Sequence, residues 1–404
     1  MSDTNKYFCK IVDLLRSKNL YPNISEISGP SCNPEIIIQG KKYLTFCSNN
    51  YLGLANNQEV KDAVIEGIKK YGVGSGSTRL LSGTLDIQVE FEKRLAEFYG
   101  YADSITFSSG YLASAGTIRM LVDPFPYFSL PFVEKKGVIF SDELNHASIV
   151  DSVRLSHAER VIYKHNDIKD LEKSLSKHKR KKKLIITDGV FSMDGDLADL
   201  KSITRLAKEY DAIIYVDDAH ASGILGAHGE GAPHHLGVEK EIDVIMGSFT
   251  KAWGSIGGFI VTKEKDLSDY LRVTARSYIF SDPILPGVVA GLIKTLEIIR
   301  TGDNLRKITF ENAKYLRSEL RNMGFEVLGE NMPIIPPLLH SEKNAIQFSQ
   351  KLLEAGILAP AVRKPAVPEG KERLRLTTMA THTKAQIDYL LEQMQKIGKE
   401  LKII

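Results

Sequence analysis

Short apolar runs that alternate with amphipathic helical stretches are the feature that most restricts the fold of this 404-residue chain. The runs are apolar at consecutive positions, which is typical of strands covered on both faces. They lie at 104–107, 138–140, 160–163, 184–187, 212–216 and 243–246. Helical periodicity returns between most of them, for example at 86–99 and 200–210. This order predicts an α/β fold with a mainly parallel sheet between two layers of helices.

The patterning divides the chain into three predicted parts. Residues 1–57 form an N-terminal helix, a Pro- and Ser-containing arm and two short strands, and residues 58–285 form a large α/β domain. Residues 286–404 begin with a linking helix and form a smaller α+β domain. The finer elements are helices at 6–18, 286–301, 303–323, 342–355 and 384–399, and strands at 35–39, 43–46, 325–328, 335–339 and 373–378.

Composition excludes several classes of function. A net charge of +3 is too small to favour nucleic acid or a membrane surface as a partner. The basic run at 177–183 ends a predicted helix without interleaved aromatics, so we interpret it as a solvated helix terminus. Three cysteines without a CxxC pair indicate a reducing compartment and no metal site. No run approaches the ~20 apolar residues of a membrane span, so we expect a cytoplasmic protein.

Lys251 has an unusual sequence environment. It lies between the apolar runs 243–246 and 259–261, and no charged residue occurs within seven positions on either side. Desolvation lowers the pKa of a lysine, which suits an amine that must lose its proton and attack a carbonyl. An ordinary lysine in a glycine-rich turn explains this window equally well, so the interpretation depends on the rest of the chain.

Polar groups follow five of the predicted strands. Ligands of open parallel sheets bind beyond the carboxyl ends of the strands, so these groups are expected to meet. They are Ser108-Ser-Gly110-Tyr111, His146, Asp188 to Ser192, Asp217-x-x-His220 and Ser248-x-x-Lys251. Together they match the needs of pyridoxal phosphate: a lysine for the aldehyde, a buried carboxylate for the ring nitrogen, and amides and hydroxyls for the phosphate. Each residue alone has an ordinary structural interpretation, but their joint order favours the cofactor.

Longer motifs show a resemblance to a known family. From about residue 40 to about residue 394 the chain is similar to the α-oxoamine synthases, which are fold-type I enzymes dependent on pyridoxal phosphate. The motifs are SNNYLGL (48–54), SGTLDIQVEFEKRLAEFYG (82–100), LNHASIVD (144–151), DGVFSMDGD (188–196), VDDAH (216–220), SFTKAWGSIGG (248–258) and VRKPAVPEGKERLRLTTMATHT (362–383). The segment 123–136 departs from the family by being longer and more aromatic, and either an acyl channel or a subunit contact would explain it.

The resemblance implies a role for each site residue. Lys251 would bind the cofactor aldehyde, Asp217 the ring nitrogen and His220 the phenolic oxygen, while His146 would stack on the ring. Catalysis would rest on these four residues. The phosphate would be held by Gly110, Tyr111 and Ser248, and by Ser281 from the second subunit of a homodimer with shared sites. Ser192 would lie beside the phenolic oxygen, Asn49 and Arg375 would hold the amino-acid carboxylate, and Arg363 is a weaker candidate for the acyl substrate.

The implied reaction is a decarboxylative condensation of a small amino acid with an acyl thioester, which yields an α-amino ketone, carbon dioxide and a thiol. The tail at 363–383 resembles family members that use alanine and a pimeloyl thioester, carried by coenzyme A or a carrier protein. Residues 83–88 and 379–383 also resemble members that use serine and a long acyl chain, and glycine-using members share most motifs. An aminotransferase and an inactive cofactor-binding protein stay open as alternatives.

Overall fold

The computed structural model describes residues 3–18, 21, 24–123, 136–179 and 181–404. Most of the aromatic segment at 123–136 therefore lies outside the described residues. The helices described are α1 (Asp3–Ser17), α2 (Gln58–Tyr71), α3 (Asp86–Tyr99), α4 (Gly110–Val122), α5 (Ala147–Leu155), α6 (Ile168–Ser176), α7 (Leu200–Tyr210), α8 (Ala232–Leu236), α9 (Lys265–Thr274), α10 (Arg276–Ile279), α11 (Pro286–Arg300), α12 (Asp303–Asn322), α13 (Glu342–Glu354) and α14 (Lys384–Glu400).

The strands are short, and most of them were predicted. They are β1 (Ile27–Ser28), β2 (Glu35–Ile38), β3 (Lys41–Thr45), β4 (Asp103–Phe107), β5 (Val138–Asp142), β6 (Glu159–Tyr163), β7 (Lys183–Asp188), β8 (Ala212–Asp217), β9 (Val244–Ser248), β10 (Gly258–Thr262), β11 (Ile334–Ile335), β12 (Ile357–Leu358), β13 (Ala361–Val362), β14 (Arg373–Leu374) and β15 (Leu376–Thr377). The predicted strand at 325–328 is reduced to a single bridge between Val327 and Pro337. Among the described helices, none is both long and apolar enough to cross a membrane.

A seven-stranded sheet forms the centre of the molecule, in the order β4-β10-β9-β8-β7-β5-β6. Neighbouring strands from β9 to β6 are parallel, whereas β10 runs antiparallel to both β9 and β4. The prediction of a mainly parallel sheet is therefore confirmed. The carboxyl ends of β4, β5, β7, β8 and β9 all lie at one edge, because β10 is the single strand of this sheet that is reversed.

Both faces of the sheet are covered, as the consecutive apolar residues predicted. Side chains alternate between the faces along a strand, so neighbouring residues enter different cores. In β7, Ile185 joins a core that includes α3, α7 and α11, while Leu184 and Ile186 join a core that includes α4 and α9. The strands thus lie between two helical layers, and the loops at their carboxyl ends are left to form a site.

A third apolar core belongs to the C-terminal part of the chain. Helices α12, α13 and α14 pack there around Phe348, Leu376 and Leu390. Phe46 joins this core, and β3 pairs in parallel with β12 through Leu44 and Ile357. The N-terminal strands are therefore built into the C-terminal unit, although the proposed boundaries of the three parts stay a prediction.

Two glycines let β10 approach the start of α4 very closely. A Cβ atom on Gly258 would lie 2.5 Å from the backbone N and Cα of Gly110, closer than real Cβ contacts occur. A Cβ atom on Gly110 would in turn lie 3.4 Å from Cβ of Ser248. Because both glycines lack a side chain, the first turn of α4 can pack directly against the end of β9.

We predict that Gly258→Ala lowers the free energy of unfolding by about 1–3 kcal/mol, because the new methyl group meets backbone that cannot turn away. Urea unfolding of the purified protein measures the change. Gly74→Ala is the matched control, since its Cβ would meet nothing within 4 Å. An unchanged unfolding midpoint for Gly258→Ala would contradict the close approach.

Candidate active site

A cavity of about 200 Å³ opens at the carboxyl edge of the central sheet. Its lining comes from the loops that follow β4, β5, β7, β8 and β9, as the sequence predicted for ligand-binding groups. The lining residues are Ser109, Gly110, Tyr111, His146, Ser148, Asp188, Asp217, Ala219, His220, Met246, Ser248, Thr250 and Lys251. The cavity thus brings together strand-end residues that were singled out in the sequence, namely Gly110, Tyr111, His146, Asp188, Asp217, His220, Ser248 and Lys251.

Lys251 lies in the loop between β9 and β10 and points its amine into the cavity wall beside Thr250. Its Nζ donates to Oγ1 of Thr250 at 3.3 Å. Burial lowers the pKa of the amine and the charge of Arg375 lowers it further, whereas Asp217 and Asp188 act in the opposite direction. The site therefore favours a neutral, nucleophilic lysine.

Two carboxyl groups stand side by side at the ends of neighbouring strands. Asp188 ends β7 and Asp217 ends β8, and the two residues are directly paired in the parallel register. They are only 3% and 5% exposed. Asp188 accepts a hydrogen bond from the backbone N–H of His146 at 3.2 Å, and Asp217 accepts one from the N–H of Ala219 at 3.1 Å. Burial raises the pKa of both groups, and the charge of Asp217 raises the pKa of Asp188 further.

His146 caps the N-terminus of α5. Its Nδ1 accepts from the backbone N–H of Ser148 at 3.2 Å and lies 2.8 Å from Oγ of the same serine. The imidazole is exposed on the cavity side, where a flat ligand could stack against it. The cap and the bond to Asp188 together fix the position of this ring.

The first turn of α4 faces Ser248 across one end of the cavity. Ser109 caps the helix by accepting from the N–H of Leu112 at 3.1 Å. The N–H groups of Gly110 and Tyr111, in this first turn, have no acceptor inside the helix and suit an anion such as phosphate. Oγ of Ser248 lies 2.8 Å from Oγ1 of Thr250, so two hydroxyls accompany these amides.

A second set of polar residues adjoins the cavity through His220. Nδ1 of His220 lies 2.8 Å from the hydroxyl of Tyr51, and the same hydroxyl lies 3.2 Å from Oδ1 of Asn49. Arg375 donates from Nη1 to the same oxygen at 3.0 Å and from Nε to the carbonyl of Ser192 at 2.6 Å. Burial lowers the pKa of His220 well below its usual value, with further lowering from the charges of Lys251 and Arg375.

The remaining predicted residues lie outside the cavity lining. Ser192 contributes its carbonyl to Arg375. Oγ of Ser281 lies 3.4 Å from Oγ of Ser108 in the same chain, next to the start of α4. Arg363 forms an ion pair with Glu342, which lines a separate groove of about 950 Å³ between α5 and the segment 364–368. Whether Ser281 serves a partner subunit and whether Arg363 contacts an acyl substrate stay predictions.

Sequence analysis did not assign a role to Asp188 or to Tyr51. Asp188 belonged to one of the predicted strand-end groups, and its position at the end of β7, equivalent to that of Asp217 in β8, was the signal for an individual role. Tyr51 carried no such signal, since its partner His220 lies 169 positions away along the chain.

The residues present fit pyridoxal phosphate. A buried amine of lowered pKa, a buried carboxyl in the same cavity, and an anion cradle at a helix N-terminus are the three groups that its aldehyde, ring nitrogen and phosphate require. His146 offers a flat surface for the ring. The cavity therefore has the donor set that this cofactor needs.

Comparisons with known proteins agree with this geometry. The sequence model of the family described as aminotransferase class I and II matches residues 41–394. The 8-amino-7-oxononanoate synthase of Thermosipho melanesiensis is 42% identical over 398 residues, which cover 98% of each chain. The 8-amino-7-oxononanoate synthase of Petrotoga mobilis is 45% identical over 369 residues, or 91% of each chain.

A solved structure is similar over the whole chain. The serine palmitoyltransferase of S. paucimobilis, solved with pyridoxal phosphate bound, has a TM-score of 0.92 at 31% identity and covers 100% of both chains. The arrangement of strands and helices described above is therefore that of a known enzyme fold, whereas the identity is higher to the two synthases.

We predict that Asp188→Asn stabilises the protein increasingly as the pH rises above about 4, the usual carboxyl pKa. The raised pKa of Asp188 means that the folded wild type loses stability as the pH rises through and beyond that value, while asparagine has no proton to lose. Asparagine also keeps an oxygen for the N–H of His146. Urea unfolding of the cofactor-free protein at several pH values measures the difference.

Asp188→Ala is the control for this prediction. It removes the same charge but leaves the N–H of His146 without its acceptor, so it should be less stable than Asp188→Asn at every pH. A difference between Asp188→Asn and wild type that stays constant with pH would contradict the raised pKa.

Proposed function

We propose a reaction for this chain from one premise: the chain belongs to the aminotransferase class I and II family and, within it, to the α-oxoamine synthases. This membership confirms the resemblance carried by the sequence motifs, the predicted fold type and the predicted use of pyridoxal phosphate. The protein is an acyltransferase dependent on that cofactor. We infer that it joins a small amino acid to an acyl thioester and releases carbon dioxide and a thiol.

The observation that carries this proposal is the cavity itself. Lys251, Asp217, His146 and the amides of α4 surround one space, and the pair of Asn49 and Arg375 adjoins it. When bound, pyridoxal phosphate supplies an electron-withdrawing ring that stabilises negative charge at the α-carbon of an amino acid attached to it. The side chains around the cavity then have to bind, orient and move protons.

Asp217 and Lys251 are the residues that we assign to holding and transferring protons in the reaction. The buried carboxyl of Asp217 would hold a proton at the ring nitrogen by pairing with it as a carboxylate. Burial lowers the pKa of the Lys251 amine, which shifts it toward the neutral form, and we assign to this amine the removal of the proton from the α-carbon. Both functions depend on the same dry environment, which disfavours isolated charges.

Arg375 and Asn49 orient the amino acid. The guanidinium offers two parallel N–H donors to the substrate carboxylate, which a lysine could not do. His220 presents its second ring nitrogen to the cavity, where it would hydrogen-bond the phenolic oxygen of the cofactor and, later, the acyl oxygen. Gly110, Tyr111 and Ser248 would hold the phosphate, and the resemblance would place Ser192 near the phenolic oxygen.

Alanine and a pimeloyl thioester are the substrates that we propose, which would place the protein in biotin synthesis in the cytoplasm. The support is the higher identity to the two 8-amino-7-oxononanoate synthases, 42% and 45%, than to serine palmitoyltransferase, 31%. The groove of about 950 Å³ next to the cavity is large enough to accept an acyl chain, carried either by coenzyme A or by a carrier protein. Arg363, at the edge of that groove, is a contact for the far carboxylate.

A matrix of glycine, alanine, serine and threonine against short, pimeloyl and long-chain thioesters tests the proposal, with thiol and carbon dioxide release as readouts. We expect alanine with a pimeloyl thioester to be fastest and glycine to be slower by about five- to tenfold, because one buried methyl group contributes only ~1 kcal/mol. Lys251→Ala is the inactive control, and Arg375→Ala should raise the KM of every amino acid alike.

Other outcomes of this matrix assign other functions. Faster turnover of serine with a long-chain thioester would overturn the biotin proposal in favour of a serine palmitoyltransferase-like synthase. Preference for glycine with a short thioester would indicate a glycine C-acetyltransferase-like synthase. Exchange of amino groups without thiol release would indicate an aminotransferase.

A homodimer with shared sites is the second part of the proposal. Helix α1 leaves Phe8 58% exposed, and Leu81 and Phe280 are 82% and 64% exposed. These exposed apolar side chains are available for contact with a second copy of the chain. Phe280 directly precedes Ser281, so an interface there would bring Ser281 close to the other subunit.

Mixed dimers test whether Ser281 acts on the partner's site. Neither Lys251→Ala nor Ser281→Asp should be active alone, but a mixture that exchanges subunits should regain activity. One site of the mixed dimer then combines an intact Lys251 with an intact Ser281 from the other chain. Failure to regain activity in a mixture shown to form mixed dimers, or a fully active monomer in sedimentation, would contradict shared sites.

A further inference from the structure

A continuous set of hydrogen bonds joins the proposed carboxylate-binding pair to the histidine at the cavity. Arg375 donates to Oδ1 of Asn49 at 3.0 Å, and the hydroxyl of Tyr51 lies 3.2 Å from that oxygen and 2.8 Å from Nδ1 of His220. Tyr51 is fully buried, and His220 is 7% exposed. Because Nδ1 faces Tyr51, the nitrogen that His220 presents to the cavity is Nε2.

The hydroxyl of Tyr51 has one proton for two acceptors. If it donates to Asn49, Nδ1 of His220 must carry a proton and Nε2 becomes an acceptor. If it donates to Nδ1, the proton of His220 sits on Nε2, which then becomes a donor toward the cavity. The acceptor that receives the Tyr51 proton therefore decides whether Nε2 of His220 is a donor or an acceptor toward the cavity.

Two observations favour the second arrangement. The bond to His220 is 0.4 Å shorter than the bond to Asn49 (2.8 against 3.2 Å), and the Asn49 oxygen already accepts from the cationic guanidinium of Arg375. Burial raises the pKa of Tyr51, so the hydroxyl keeps its proton, while the lowered pKa of His220 keeps the ring neutral. A neutral ring has to adopt one tautomer or the other.

We propose that Tyr51 is a positioning residue that donates to Nδ1 of His220 and thereby holds Nε2 as a hydrogen-bond donor toward the cavity. A donor at that position suits an oxygen that carries negative charge during the reaction, and a ring acceptor there would repel it. This role rests on the proposed function for its catalytic consequence, but the tautomer itself does not depend on cofactor or substrate.

The tautomer can be measured directly in the cofactor-free protein. In protein labelled with ¹⁵N-histidine, NMR distinguishes protonated from unprotonated ring nitrogens, and His220→Gln identifies the His220 signals. We expect the wild type to have its proton on Nε2 and Tyr51→Phe to show a mixture of both tautomers. An unchanged Nε2-protonated signal in Tyr51→Phe, or a wild type protonated on Nδ1, would overturn the proposal.

Kinetics of the cofactor-loaded enzyme provide the second readout. In metal sites, loss of a hydrogen bond that orients a ligating histidine reduces affinity or activity by about 10–100-fold, and we take the lower end of that range for His220. We expect Tyr51→Phe to lower kcat by about tenfold with little change in the KM of the amino acid. A rise in KM with unchanged kcat would mean that Tyr51 acts on carboxylate binding and not on His220.

Tyr99→Phe is the matched control. It also removes a buried tyrosine hydroxyl, which bonds Oγ of Ser222 at 2.7 Å, but it leaves the Tyr51 network untouched. Its NMR signals for His220 should match the wild type. An NMR result that contradicts the expected tautomers would overturn the role of Tyr51 but would leave the proposed reaction intact. A substrate matrix that contradicts the proposed reaction would leave the tautomer result unchanged.

Discussion

The parallel register of the central strands is the constraint on which the site depends. Because β5, β7, β8 and β9 end at one edge, the residues that follow them are placed within one cavity although they are far apart in sequence. The direct pairing of Asp188 with Asp217 is a consequence of this register. A shift of one residue would turn either carboxyl to the opposite face of the sheet. Strand packing on both faces, with apolar side chains alternating between two cores, keeps that register fixed.

The same burial that stabilises the sheet makes the cavity unfavourable for isolated charges. The pKa of Lys251 is lowered, and those of Asp188 and Asp217 are raised, chiefly because all three groups are removed from water. Buried ionisable groups cost stability unless a partner of opposite charge is present. Bound as proposed, pyridoxal phosphate would bring groups that match them: an aldehyde for the amine, a basic nitrogen for a carboxyl, and an anion for the amides of α4. Its binding would then offset a cost that the folded chain carries alone.

Much of the fold and of the candidate site could be predicted from the sequence, because apolar runs and helical periodicity are local signals. The strands of the central sheet, the helix at 86–99 that ends at Gly100, and the site residues after β5, β8 and β9 follow from such signals. Pairings between distant residues had no local signal. The bond between Tyr51 and His220, the parallel pairing of β3 with β12, and the ion pair of Arg363 with Glu342 each depend on tertiary packing. The strand expected at 325–328 was wrong because its residues pack into the third core with only one bridge to a neighbour.

Two arginines connect the C-terminal unit to the cavity edge. Arg373 donates to the carbonyl of Met193 at 3.1 Å and pairs with Asp194, while Arg375 donates to the carbonyl of Ser192. Residues two apart in an extended segment point the same way, so both guanidinium groups reach the same loop after β7. Arg373 is buried and its contacts are structural, which leaves Arg375 with one nitrogen on Ser192 and another on Asn49. The guanidinium has five N–H groups, so a substrate carboxylate proposed to bind Arg375 would not have to displace Asn49 or Ser192. Asn49 lies between Arg375 and Tyr51, and it therefore joins the proposed carboxylate site to the network of His220.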